Sequence, residues 1–172
     1  MKHSTSPELA ESMNDPTFAE RVRLDDALCF ALYNATNAII RAYRPLLQKI
    51  DLTYPQYLVL MVLWDQGAVR IVDIARRLDL APNAITPLVD RLEAIELVIR
   101  VPSETDRRTS MIHLTDRGAE LEKEASIIQQ AVACNIALDQ NRHAPLLADL
   151  KRIVAGMEEG QLLSIRSPKR EF

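Results

Sequence analysis

Cysteine, glycine and aromatic residues are all scarce in this chain. Its 172 residues hold 2 Cys, 4 Gly and 5% aromatics. Two cysteines cannot supply a four-ligand structural zinc site, and His3, His113 and His143 show no ligand spacing with them. No metal or other cofactor is therefore expected. An excess of basic charge is also missing, with 21 Lys and Arg against 24 Asp and Glu and a net charge of −3. That argues against a generally basic nucleic-acid binder but permits a local basic reader. No apolar run nears the roughly 18 residues that a membrane span needs. The opening "MKHSTSPELAESMNDPTFAE" lacks the apolar core of a secretory signal. Residues 1–20 are expected to be a disordered arm, and 161–172, with "SIRSPKREF", a short basic tail. The expected location is the cytoplasm, with thiols reduced at rest and no membrane partner.

What is present is helical periodicity, in a chain with 48% hydrophobic residues. In "LDDALCFALYNATNAIIRAYRPLL", Leu24, Leu28, Ala31, Ala35, Ile39, Ala42 and Leu46 form one stripe. Cys29, Tyr33, Thr36, Ile40, Tyr43 and Leu47 form a second. A helix that is apolar on two sides calls for two partners, a core and another subunit. "LTYPQYLVLMVLWDQG" follows, with Thr53 as cap, Pro55 in the first turn and Gly67 as stop. It is apolar nearly all round, which predicts a central helix. "VRIVDIARRLDL" and "APNAITPLVDRLEAIE" predict two shorter helices. The period then changes: "LVIRVPS" and "TSMIHLT" predict strands around the polar loop "SETDRR". Thr115 should cap a helix from about 116 to 140, and a last helix should cover about 143–158, begun near Pro145.

The predicted fold is mainly α with a small β-hairpin wing. A single domain over 21–160 would hold a winged helix-turn-helix at about 53–114. Dimerisation helices at about 24–50 and 116–158 would flank it. Apolar surface beyond what one small core can cover predicts a homodimer.

A helix fits the major groove of B-DNA and reads base edges there. The 82–95 helix is the candidate reader, with Asn83, Thr86, Pro87 and Asp90 on the face opposite Ile85, Leu88, Val89 and Leu92. Asn pairs bidentately with adenine, and proline or a threonine methyl can touch a thymine methyl. Arg107 and Arg108 sit at the loop tip, where an arginine suits the narrow minor groove of A·T-rich DNA. Between Arg70 and Arg117 arginines and acids are equal in number, so binding depends on placement and on duplication in a dimer. The expected partner is a pseudo-palindromic double-stranded operator.

This order of elements resembles the MarR family of transcription regulators. "SETDRRTSMIHLTDRG" matches that family's D-x-R…LT-x-x-G pattern at Asp106, Arg108, Leu114, Thr115 and Gly118. The resemblance covers about 24–158 and implies that Asp106 orients Arg108. "LCFALY", "AYRPLL", "LTYPQYLVLMVLW" and "ITPLVDRLEA" further resemble the organic hydroperoxide resistance regulators (OhrR) within it. Glu96 stands where the family usually has glycine, which leaves open how the reader helix closes.

Cys29 lies near the start of its helix, where the dipole favours an anion, although Asp25 and Asp26 oppose it. Thiolates, not thiols, attack peroxides. Tyr33 is one turn on. The resemblance implies that Tyr43 and Tyr54 approach this sulfur from the partner subunit, where a hydroxyl donor favours the thiolate. It also implies that Cys134 is the resolving thiol of a two-cysteine regulator. The bland alternative is that both cysteines fill apolar space. On the resemblance, the expected function is a repressor released from DNA when organic hydroperoxides oxidise Cys29. Two competitors are a MarR-type repressor sensing a small phenolic or aromatic ligand, and a thiol peroxidase. The enzyme is disfavoured, because no arginine accompanies Cys29 locally and no thioredoxin-like strand order is present.

Overall fold

The computed structural model describes residues 23–102, 110–136 and 139–158. The expected arm at 1–20, the tail at 161–172 and the loop residues Asp106, Arg107 and Arg108 lie outside the described residues. Helix α1 (Leu28–Leu47) runs into a 3-10 turn (Gln48–Ile50). Then follow α2 (Tyr54–Gln66), β1 (Val69–Arg70), α3 (Ile71–Arg77) and α4 (Pro82–Ala94). Strands β2 (Val98–Pro102) and β3 (Ser110–Leu114) form the hairpin, and α5 (Asp116–Asn135) and α6 (Gln140–Glu158) complete the order.

The mainly α fold with a β wing is as the sequence predicts, with one strand added. The sheet is antiparallel with order β1-β3-β2. Val69 pairs with Ile112, and Arg100 with the same residue from the other side. A two-residue strand is too short to show a period in sequence.

The chain divides into two units, one ending at Ile128 and one beginning at Gln129. The first is organised around α2. Thr53 caps this helix: its backbone N–H donates to Gln56 Oε1 at 2.8 Å and its hydroxyl donates to the same atom at 2.9 Å. That network accounts for Gln56 being buried. Tyr57, Val59, Leu60, Val62 and Leu63 of α2 are buried with Ile74 and Ala75 of α3 and Ile85, Val89 and Leu92 of α4. Val98 and Ile112 close the core from the sheet. Fully burying one such aliphatic side chain contributes about 1.5–3 kcal/mol.

The shortage of glycine shapes the helix ends. Gly67 ends α2 at φ 73°, but Asp51, Asp79 and Glu96 also take left-handed φ values of 56°, 52° and 60°. Each is followed by a leucine whose N–H reaches back five residues: Leu52 to Leu47, Leu80 to Ala75, and Leu97 to Leu92, at 2.9–3.0 Å. This is the Schellman closure, normally built on glycine. A side chain there costs on the order of 1 kcal/mol. Burial of Leu52 and Leu97 offsets it at two of the three sites.

Two helix boundaries differ from expectation. Helix α5 stops at Asn135 rather than near 140, because the Asn135 amide donates to the Ala131 carbonyl at 2.7 Å. Its last turn tightens, with Ile136 N–H on Ala133 O at 3.2 Å. Helix α6 begins at Gln140, not near Pro145, with the Arg142 N–H on Asp139 O at 2.8 Å. Pro145 therefore lies inside the helix and forfeits one backbone bond.

Candidate DNA interface and thiol site

Pro82 starts α4 with the fixed φ that suits a first turn. Its buried residues recur at helical spacing, which turns Asn83, Thr86, Pro87 and Asp90 to solvent as the sequence predicts. The Thr86 hydroxyl donates back to the Pro82 carbonyl at 3.2 Å. Its polar group is thus engaged within the helix. Pro87 has no N–H to give, so the Asn83 carbonyl loses its usual helix donor on the same outward face.

Asp90 is not a free acid. Arg100, on β2, donates one guanidinium nitrogen to Asp90 Oδ1 and another to Glu93 Oε2. The Arg100 backbone N–H adds a bond to Glu93 Oε1 at 3.2 Å. Neither Arg100 nor Glu93 was among the residues expected from the sequence. A signal was available: strand alternation places Arg100 on the same side as buried Val98, and an inward charge requires partners. Nearby on α3, Asp73 is paired with Arg70 at 2.7 Å and with Arg76 at 3.1 Å. The Arg70 guanidinium holds the Asp73 carboxyl below the usual carboxylate range.

The end of the reader helix is locked to the start of α5. Glu96, in the left-handed conformation that glycine favours, presents its carbonyl to the Thr115 hydroxyl at 2.7 Å. The Thr115 oxygen in turn accepts from the Gly118 N–H at 3.0 Å, capping α5 as expected. The Thr115 N–H donates to Leu97 O at 3.1 Å, and Arg117 donates to Ile95 O at 3.1 Å. Trp64 Nε1 reaches Gly118 O at 2.9 Å. A Cβ on Gly118 would stand 2.0 Å from Leu97 O. The glycine is thus required by a close backbone approach rather than by its own φ.

Cys29 is the second residue of α1, exposed and unbonded to another sulfur. Ala27 occupies the N-cap position and offers no side-chain cap, and no acid stands in the first turn. Upstream, Asp26 faces Arg23 at 3.8 Å, which offsets one of the two acids set against an anion here. Tyr33, a turn away, is 65% exposed and joins no aromatic contact among the described residues. Tyr43 and Tyr54 do come together, with ring centroids 5.2 Å apart. Tyr57, not among the residues expected from the sequence, completes the group at 5.5 Å from Tyr43 and 6.2 Å from Tyr54. Burial pushes all three phenols above their ordinary range, while the Tyr57 hydroxyl on Tyr43 pulls Tyr43 back down. Cys134 is likewise an exposed free thiol, one residue before the end of α5.

Residues 52–110 match the model of the MarR family. Over 142 residues, 82% of this chain and 97% of the relative, the sequence is 34% identical to the HTH-type transcriptional regulator MgrA of Staphylococcus aureus. The chain belongs to the MarR family. It is a MarR-type DNA-binding transcriptional regulator, and its family and relatives are regulators rather than enzymes. Among solved MarR-like structures, reduced AbfR bound to DNA is 30% identical with TM-score 0.64, over 78% of this chain and 96% of that one. Disulfide-formed AbfR is 28% identical with TM-score 0.58, over 90% and 99%. CouR from Rhodococcus jostii RHA1, bound to p-coumaroyl-CoA, is 26% identical with TM-score 0.69, over 77% and 95%.

Proposed function

We propose that this MarR regulator is a homodimeric redox-sensing repressor of the two-cysteine, OhrR-like kind, released from a pseudo-palindromic operator when an organic hydroperoxide oxidises Cys29. The observation that carries this is the exposed free thiol in the first turn of α1, in a chain with one other cysteine. A similar protein, AbfR, has been solved both reduced on DNA and in a disulfide form. The Cys29 thiolate attacks the terminal peroxide oxygen. The O–O bond breaks, an alcohol leaves, and Cys29 becomes a sulfenic acid. The Cys134 thiol of the other subunit then displaces water to give a disulfide. Tyr43 and Tyr54 from across the dimer interface, with Tyr33 of the same helix, serve as hydroxyl donors that favour the thiolate.

In DNA binding, Asn83, Thr86 and Pro87 face base edges in the major groove. Arg107 and Arg108, the latter oriented by Asp106, enter the minor groove. Dimerisation is supported by the outward apolar residues of α1, where Leu28 is 62% exposed.

The test is DNA binding before and after one equivalent of an organic hydroperoxide. Wild type should be released and should run as a covalent dimer on a non-reducing gel, reversed by dithiothreitol. Cys29→Ser should bind DNA and ignore the oxidant, while Cys134→Ser should lose the crosslink. Release of Cys29→Ser as readily as wild type would refute the sensor role. The second reading, a repressor of the ligand-responsive kind, is favoured by the likeness to CouR with p-coumaroyl-CoA. Response to a phenolic ligand after both cysteines are alkylated would establish it instead.

A further inference from the structure

The reader helix α4 carries three charges, Asp90, Arg91 and Glu93, and so has one more acid than base. Acids on a helix that approaches phosphates oppose binding by like-charge repulsion. Asp90 belongs to the outward face with Asn83, Thr86 and Pro87. Arg100 reaches both acids from the wing strand, with its side chain only 27% exposed against 57% for Asp90 and 37% for Glu93. One guanidinium spans two carboxylates a helical turn apart, a geometry for which its planar fork is pre-organised.

We infer that Arg100 is a charge-compensating positioning residue of the DNA interface: it holds Asp90 and Glu93 against the wing strand and cancels part of their field, rather than binding DNA itself. The same bonds tie the wing strand to the reader helix, so the two elements enter their grooves as one body. This rests on the DNA-binding reading of α4 and is independent of the thiol chemistry.

Four proteins test it: wild type, Arg100→Met, Asp90→Asn/Glu93→Gln, and the triple variant combining them. Each is titrated by fluorescence anisotropy with a mixed-sequence duplex of about three helical turns, at several salt concentrations. Affinity should rank by the formal charge left at the three positions. Arg100→Met should be weakest, about tenfold below wild type at low salt. The triple variant should match or exceed wild type, and Asp90→Asn/Glu93→Gln should be tightest. A direct phosphate contact by Arg100 predicts a different order, with the triple variant as weak as Arg100→Met and a shallower salt slope in both. That order would overturn the proposal, and so would Arg100→Met binding as wild type does. If Arg100→Met fails to give a cooperative melt, Asp90→Asn/Glu93→Gln decides alone: a gain of several-fold supports the inference and no gain overturns it. Absence of duplex binding by wild type would remove the DNA reading itself, a failure distinct from a wrong rank order.

Discussion

The reader helix α4 and the thiol helix α1 are held in opposite ways. Helix α4 has Ile85, Val89 and Leu92 at zero exposure, Arg100 across its acids and the Thr115–Gly118 junction at its end. Helix α1 buries only Tyr43 and Leu47, both in its last turns, and leaves Leu28, Cys29 and Tyr33 in solvent. Among the described residues, the apolar face of α4 is covered within one chain, while the start of α1 is exposed. On the proposed function, that contrast suits a regulator whose signal arises between subunits and is read out by moving the DNA-binding elements.

The largest effect that would break this contrast is expected at Gly118. Gly118→Val drives a side chain into Leu97 O and should cost about 3 kcal/mol or more, by the overpacking and strain mechanisms. Urea denaturation measures it, and a loss under 1 kcal/mol would show that the junction is not rigid. Next is Leu28→Asp, at an exposed position of α1, which should keep a cooperative melt while weakening the proposed dimer. A loss of about 1.5–3 kcal/mol per buried leucine is expected, read by analytical ultracentrifugation. An unchanged dimer would move the subunit interface elsewhere.

The tyrosine group joins the end of α1 to the start of α2 and gives a pH signature. Tyr43, Tyr54 and Tyr57 are all raised above 10.0, so the folded state holds these protons more tightly than the unfolded one. Their contribution is full below pH 10.0 and is lost as pH rises beyond it. Tyr57→Phe should flatten the alkaline fall in stability, as measured by urea unfolding on both sides of that pH. A wild-type-like slope would mean that the trio does not couple to folding. The smallest effect should come from Glu96→Gly, which relieves the left-handed side chain. A gain of up to about 1 kcal/mol is expected, with the DNA affinity unchanged.

Much of the reader was legible. Ile85, Val89 and Leu92 at helical spacing fixed which face of α4 is outward, and the LT-x-x-G pattern marked the junction. The clamp on Asp90 was missed because Arg100 lies ten residues away on a different element, and no period links a strand residue to a helix residue. Tyr57 was missed because its neighbours in an all-apolar helix gave it no distinguishing face. Pro145 misled the start of α6, since a first-turn proline is common and an interior one is rare.

By itself the sequence determined the order of the helices and the hairpin, the apolar faces, the cap at Thr53 and the scarcity of glycine, because each depends on residues within a few positions of one another. Only the tertiary structure decided that Glu96 adopts a glycine conformation, since burial of Leu97 and the Thr115 hydroxyl outweigh its local cost. Only the tertiary structure, likewise, made Gly118 indispensable, paired Arg100 with two acids and gathered Tyr43, Tyr54 and Tyr57. These depend on approach between segments far apart in the chain, and local periodicity carries no information about such distances.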